Sequence, residues 1–246
     1  QNILSGSGVT NTIQSGLNAG EAVAFTIGGV SATQLGLSSG TNGVAYSGRI
    51  TDGSGGSAIA AGDITINGVD LNAFTTTEQT SAATMADVIN ERSSLTGVTA
   101  DAYNRVEGNV VGLGELSIGE ILVNEVSMGT SFASLNALAV AINEKASDVT
   151  AEVTSEGRIV LSNTTGKTIT LDGAGLSAAG FEEDTATATN GTNTYTGFLK
   201  FTNNDGSSDP ITFGIDADNG TAADLKALGL NQTTANGSIT GGEVTA

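Results

Sequence analysis

The side chains able to carry chemistry in this chain are nearly all carboxylates. Its 246 residues hold 26 Asp and Glu against 8 Lys and Arg, with no histidine and no cysteine. That removes the commonest general base, the Ser-His-Asp arrangement, thiol nucleophiles and the preferred ligands of zinc. What remains is acid chemistry by paired carboxylates, or calcium held by oxygens. Glu182, Glu183 and Asp184 form a short acidic run, but consecutive loop residues point apart and read as a solvated surface. Asp216, Asp218, Asn219 and Gly220 follow part of a calcium loop. Gly220 stands where a third ligand belongs, however, Thr221 where the glycine is needed and Ala227 where the closing Glu should be. Asn203, Asn204, Asp205, Gly206 and Asp209 fit less well still. Asn, Asp and Gly tolerate left-handed backbone and cap turns, so both segments read as turns. Gly28-Gly29 and DGSGG at 52–56 lack the spacing of phosphate loops and read the same way. No catalytic, cofactor-binding or metal-ligating residue is expected, and no cofactor.

The charge points the same way. A net charge of −18, with a pI near 4.1, repels phosphate backbones and anionic membranes and keeps a densely displayed protein soluble. Nucleic acid and membrane are therefore not expected partners. No run of roughly 18 apolar residues is present to span a bilayer, and no basic-then-apolar leader is seen. The absence of cysteine is compatible with an extracellular bacterial protein. Aromatics are only 4% and Trp is absent, so Ala, Val, Ile and Leu must fill the interior, which favours thin two-layer modules. Abundant Gly, Ser, Thr and Asn favour strands with tight turns, and the single proline, Pro210, makes a proline-rich linker unsuitable as a description of any segment.

The elements that must position these residues come in two copies. Residues 64–106 contain ITINGVDL and then TSAATMADVINERSSLTGVTADAYNRV, and residues 116–161 contain LSIGEILV and then TSFASLNALAVAINEKASDVTAEVTSEGRIVL. Each reads as strand, helix, strand. Ile64, Ile66 and Val69 alternate with polar or small residues, Met85, Val88 and Ile89 recur at helical spacing, and Val98, Ala100 and Ala102 alternate again. Leu116, Ile118 and Ile121, then Leu135, Leu138, Ala139 and Ile142, then Val149, Ala151 and Val153 repeat the order. One apolar helix face and one apolar sheet face must bury each other, so each copy is a small helix-on-sheet unit.

Outside the copies, residues 1–15 are polar, GEAVAFTIGGV at 20–30 reads as a strand, and SATQLGL at 31–37 as a short helical turn. FLKF at 198–201 and ITFGI at 211–215 read as strands joined by a turn-rich loop, and TAADLKALGL at 221–230 as a capped helix closed by Gly229. Both ends share a strand-then-helix phrase ending in Leu-Gly-Leu. They are expected to form a proximal module (1–58 with 187–246), with the first unit at 59–110 and the second at 111–186, and with hinges in the loops 38–62 and 181–195. The Asn-x-Ser/Thr triplets at Asn163, Asn190, Asn219, Asn231 and Asn236 matter only if the source glycosylates Asn.

LNAGEAVAFTIGGVSATQLGL at 17–37 resembles the stretch of bacterial flagellin that follows its N-terminal helices, commonly written GANAGQTISVSIGDVSATALGL. The duplicated units are similar to the flagellin IN motif, found in flagellins and in related hook-associated and filament-cap proteins. Asn67-Gly68-Val69, Ala141-Ile142-Asn143, Thr99-Ala100, Thr150-Ala151 and Gly157-Arg158-Ile159-Val160-Leu161 stand where that motif has its typical residues. The first copy has Asn104-Arg105-Val106 in place of the Gly-Arg-Ile strand. The long terminal helices that build a filament core are missing. The resemblance implies the variable, outward-facing central region of a flagellin: an α+β, β-dominated, elongated, multi-module structural protein serving motility without catalysis. It would be secreted, extracellular and part of the bacterial flagellum, with the other subunits of the filament as partners, and monomeric as an isolated piece. A fragment of a hook-associated or cap protein is the nearest alternative. A carbohydrate-binding or adhesive surface module is another, for which only Tyr46, Tyr103 and Tyr195 are available as an aromatic platform.

Overall fold

The computed structural model describes residues 9–14, 22–27, 43–51, 58–111, 116–181, 192–215, 220–230 and 239–240. Among them the chain runs β1 (Val9–Gln14), β2 (Ala22–Ile27), β3 (Val44–Arg49), β4 (Ile64–Ile66), β5 (Val69–Asp70), helices α1 (Ala82–Asn90) and α2 (Ser93–Thr96), and the long strand β6 (Val98–Glu107). Strands β7 (Leu116–Val123) and β8 (Val126–Phe132), helix α3 (Leu135–Lys145) and strands β9 (Thr150–Val153), β10 (Ile159–Asn163) and β11 (Ile169–Asp172) follow. Then come β12 (Asn193–Tyr195), β13 (Phe198–Asn203), β14 (Thr212–Ile215), α4 (Ala222–Ala227) and β15 (Ile239–Thr240). The described strand pairings are antiparallel throughout. The protein is α+β and β-dominated, built of small helices laid on antiparallel sheets.

Local chemistry accounts for the repeated elements. Ser81 and Ser134 cap α1 and α3, each hydroxyl accepting from the backbone N–H three residues on, Thr84 and Ala137. Met85, Val88 and Ile89 on α1, and Leu135, Leu138, Ala139 and Ile142 on α3, are buried at helical spacing as expected. The first segment of each copy is a hairpin rather than a single strand. Asn67 (φ +51°) and Gly68 (φ +75°) turn β4 into β5, and Asn124 (φ +48°) and Glu125 (φ +67°) turn β7 into β8. A two-residue turn with both φ values positive matches the twist of paired strands, and Asn reaches that backbone more readily than other side chains.

The final strands are where the two copies part from a simple tandem. In the second copy β9 and β10 form a hairpin that closes on the pair Val153 and Ile159. In the first copy the equivalent of β9 is the front half of β6, and its antiparallel partner is β13, closing on Tyr103 and Phe198. The whole second copy lies between these two strands. Likewise β11 pairs with β7 of the second copy, and β14 pairs with β4 of the first. The strands at 198–203 and 212–215, expected as a pair within a terminal module, do not pair with each other; they complete the first copy's sheets. The back half of β6, Asn104–Val106, pairs with β10 and so opens the second copy instead of ending the first. This explains why it does not match Gly157-Arg158-Ile159. Residues 44–49, expected within a hinge loop, form strand β3 beside β13. Their inward side chains are Ala45 and Ser47, too small and too polar for the alternation to show in the sequence.

Two cores result. One holds Ile64, Phe74, Met85, Ile89, Ala100, Phe201, Phe213 and Leu225, and the other Val106, Ile121, Leu135, Leu138, Ile142, Leu161 and Leu171. The correspondence extends past the strands. Leu225 to Leu230 and Leu176 to Phe181 each close with the last residue's N–H donating to the first one's carbonyl at 2.9 Å, over a left-handed glycine, Gly229 or Gly180. The capped helix foreseen at 221–230 is α4, whose Thr221 and Asp224 form a capping box. The strand foreseen at 20–30 is β2, and it pairs with β1, which lies in the segment read only as polar. The short helical turn at 31–37 lies outside the described residues. So do the residues at either end of the chain.

Candidate functional site

Most of the residues that the sequence offers as candidates fall outside the described part of the chain. Glu182, Glu183, Asp184, Asp216, Asp218, Asn219, the glycines at 28–29 and the segment 52–56 lie outside the described residues. Among the described residues no three acidic side chains converge in a way that could hold a metal ion. No helix among them is long and apolar enough to cross a membrane.

The Asn203–Asp209 loop is described, and Asn203, Asn204 and Asp205 are bonded within the protein. Asn203 Nδ2 donates to Asp209 O at 2.8 Å and to Ser207 Oγ at 3.1 Å. Asn204 donates to Ser93 O at 3.1 Å, and its Oδ1 accepts from the Thr99 hydroxyl. Asp205 accepts from Ser207 N at 2.8 Å, a tight turn over Gly206 (φ +68°). The loop borders a polar groove of about 350 Å³ that also touches Asn67 and Gly97. The Ser207 backbone and side-chain bonds hold the Asp205 carboxyl below its ordinary pKa. A carboxylate favoured by the fold contributes its stability above the unfolded pKa and loses it only as pH falls through the lower folded value. An NMR titration of Asp205 should therefore give a midpoint below that of aspartate in a free peptide of the same loop.

The tyrosines are also engaged. Tyr103 stacks on Phe198 with centroids 5.3 Å apart and an interplanar angle of 19°. The Arg49 guanidinium lies 4.5 Å from the Phe198 centroid and 5.5 Å from that of Tyr195. Burial, with Tyr46 adding to it, raises the Tyr103 phenol above its usual pKa. Tyr103 and Tyr195 thus each meet a neighbour within the protein, while Tyr46 is exposed.

What the fold does build, twice, is a pair of asparagine clamps. Asn90, the last residue of α1, donates to Ala100 O at 2.8 Å and accepts from Ala100 N at 2.8 Å. Asn143, in α3, does the same to Ala151, at 2.9 and 2.7 Å. A primary amide presents one donor and one acceptor side by side and so mimics a neighbouring strand, tying each helix to the strand beneath it. A second pair works at the hairpin turns. Asn67 N donates to Thr212 O and its Oδ1 accepts from Thr212 N, at 2.8 and 3.0 Å. Asn124 does the same with Thr170, at 2.9 and 2.8 Å. Asn90 and Asn143 each follow an isoleucine that is buried in its copy's core, Ile89 and Ile142. The repeated Ile-Asn was the signal in the sequence that could have found the helix clamp. Asn163, alone among the Asn-x-Ser/Thr asparagines in being described, is tied by its side chain to Gly166 N and Lys167 O.

Where the copies meet, Arg49 donates to Asn104 Oδ1 at 2.9 Å, to Arg105 O at 2.7 Å and to Thr196 O. Asn104, almost fully buried, donates to Lys167 O at 2.9 Å and Tyr195 O at 2.7 Å. Burial lowers the Arg49 pKa, yet every one of these partners is a neutral oxygen. Close backbone approach frames the joint. Gly166 (φ +71°) sits against Ala102, and a Cβ there would collide with it. Gly166→Ala is expected to cost about 2 kcal/mol or more, from left-handed strain and the collision together, read as a lowered melting temperature in calorimetry.

No family model matches the sequence, and no curated protein is significantly similar to it.

Proposed function

We propose that this chain is the outward-facing central region of a bacterial flagellin, a structural module that projects from the filament and carries no catalysis. The observation that carries the reading is the twin clamp. Asn143 and Ala151, from the Ala-Ile-Asn and Thr-Ala segments that resemble the flagellin IN motif, are joined by a pair of hydrogen bonds, and Asn90 and Ala100 make the same pair in the first copy. Two further features support it. The Asp205 carboxylate serves a turn, and the net charge of −18 suits a surface displayed at high density, where copies must repel rather than bundle.

Immunogold labelling with antibody raised against this chain tests the reading on the source bacterium's own flagella. Gold along the filament length is the expected result. Gold restricted to the tip or to the hook junction would replace the reading with a cap or hook-associated protein, and gold absent from flagella would overturn both.

A further inference from the structure

We propose that Arg49 and Asn104 form a coupler that fixes the angle between the two copies and makes them open as one body. The inference stands on the geometry of the joint and does not rest on the filament reading.

Strand β6 runs through both copies: Val98 and Ala100 belong to the first core and Val106 to the second. A single shared strand is a weak tie, because strands twist and bend readily about their own axis. The changeover falls at Tyr103 and Asn104, where pairing passes from β13 on one side to β10 on the other. That is the point Arg49 grips. Its planar fork takes oxygens from Asn104 and Arg105 in the middle of β6 and from Thr196, between β12 and β13. Asn104 then passes the restraint on to Lys167, just before β11, and to Tyr195, the last residue of β12, both strands of the second copy's sheet.

A lysine's three donors all radiate from one nitrogen, whereas the guanidinium spreads its donors over a plane, and here two different nitrogens reach oxygens on separate segments. Neutral acceptors suit the role as well, since the cation is held by geometry and by the rings of Phe198 and Tyr195.

Backbone from the two copies closes the joint from the other side. The Ala83 N–H, in α1, donates to Gly166 O at 3.2 Å, and the Thr168 hydroxyl donates to Thr80 O at 2.6 Å. A Cβ on Gly197 would stand 2.7 Å from Tyr103 O and 2.8 Å from both Ala82 Cβ and Gly166 O. With so little slack, rotation of one copy against the other must break several of these contacts at once.

The chain contains no cysteine, so Leu95→Cys on α2 and Val140→Cys on α3, both at exposed positions, can carry a pair of spin labels. Double electron–electron resonance should give one narrow distance distribution in the otherwise unaltered chain. Arg49→Ala should broaden it about twofold while helical circular dichroism is kept, and amide protection of α1 and α3 should separate by about tenfold. A distribution already broad without the substitution, or equally narrow after it, overturns the proposal. Should Arg49→Ala fail to fold, Arg49→Lys keeps the stem and the charge but not the fork. Intermediate broadening is then expected, and no broadening overturns the proposal.

Discussion

Phe201→Ala is expected to destabilise the chain by about 3–5 kcal/mol, the range for removing a fully buried phenyl ring. It is also expected to strip amide protection from helix α1, which precedes it in the chain by the length of the entire second copy. Phe201 is fully buried and meets Phe213 edge-on, with centroids 4.7 Å apart. Its backbone pairs with Ala45 on one side and with Ala100 on the other, and Ala100 is the residue that Asn90 clamps. Loss of the ring therefore loosens the strand against which α1 is held. Against a total stability of about 5–15 kcal/mol, a loss of this size leaves the first core close to unfolding. Urea titration followed by hydrogen exchange measures both effects. A loss under about 1 kcal/mol, or one whose exchange is confined to β13 and β14, would mean that the first copy is complete without these strands.

The second large effect belongs to the clamps. Asn90→Ala deletes two hydrogen bonds and leaves the N–H and carbonyl of buried Ala100 without their partner, for an expected cost of about 2–3 kcal/mol. Asn143→Ala deletes the same pair, but Asn143 is exposed where Asn90 is half-buried, and water can replace part of what is lost. About 1 kcal/mol is expected there. Asn90→Asp should be no milder than the alanine variant, because a carboxylate oxygen would replace the donor that faces Ala100 O and like dipoles would oppose each other. Chemical denaturation of the three variants checks the order. Equal costs at the two sites, or a harmless Asn90→Asp, would show that the clamp is not what holds α1 to its strand.

The sequence was informative wherever a signal was local. Helix faces came through because Met85, Val88 and Ile89, or Leu135, Leu138 and Ile142, sit at 3.6-residue spacing and bury what the spacing says they bury. The capped helix at α4 was legible from Thr221 and Gly229. The hairpin turns were missed although Asn67-Gly68 carried the turn signal, because Val69 follows so soon after Ile66 that the segment reads as one short apolar strand. Strand β3 was missed for a different reason: its buried side chains, Ala45 and Ser47, differ too little in polarity from the residues between them. Of the candidate site, the Ile-Asn and Thr-Ala pairs were visible, but not that they touch. Arg49 gave no sign of its position at the joint.

Composition and periodicity alone determined that this is a strand-rich chain of duplicated helix-on-sheet units, short of histidine and cysteine chemistry, because these properties depend on residue type and on spacing within one element. Tertiary structure alone decided that the second copy is inserted between two paired strands of the first, that β6 serves both, and that Arg49 meets Asn104 across 55 positions of sequence. Pairing between distant strands is chosen by which edges are left open once the local units have formed. A single sequence records the edges and not the choice, since every antiparallel partner with the right alternation fits equally well until the cores close around it.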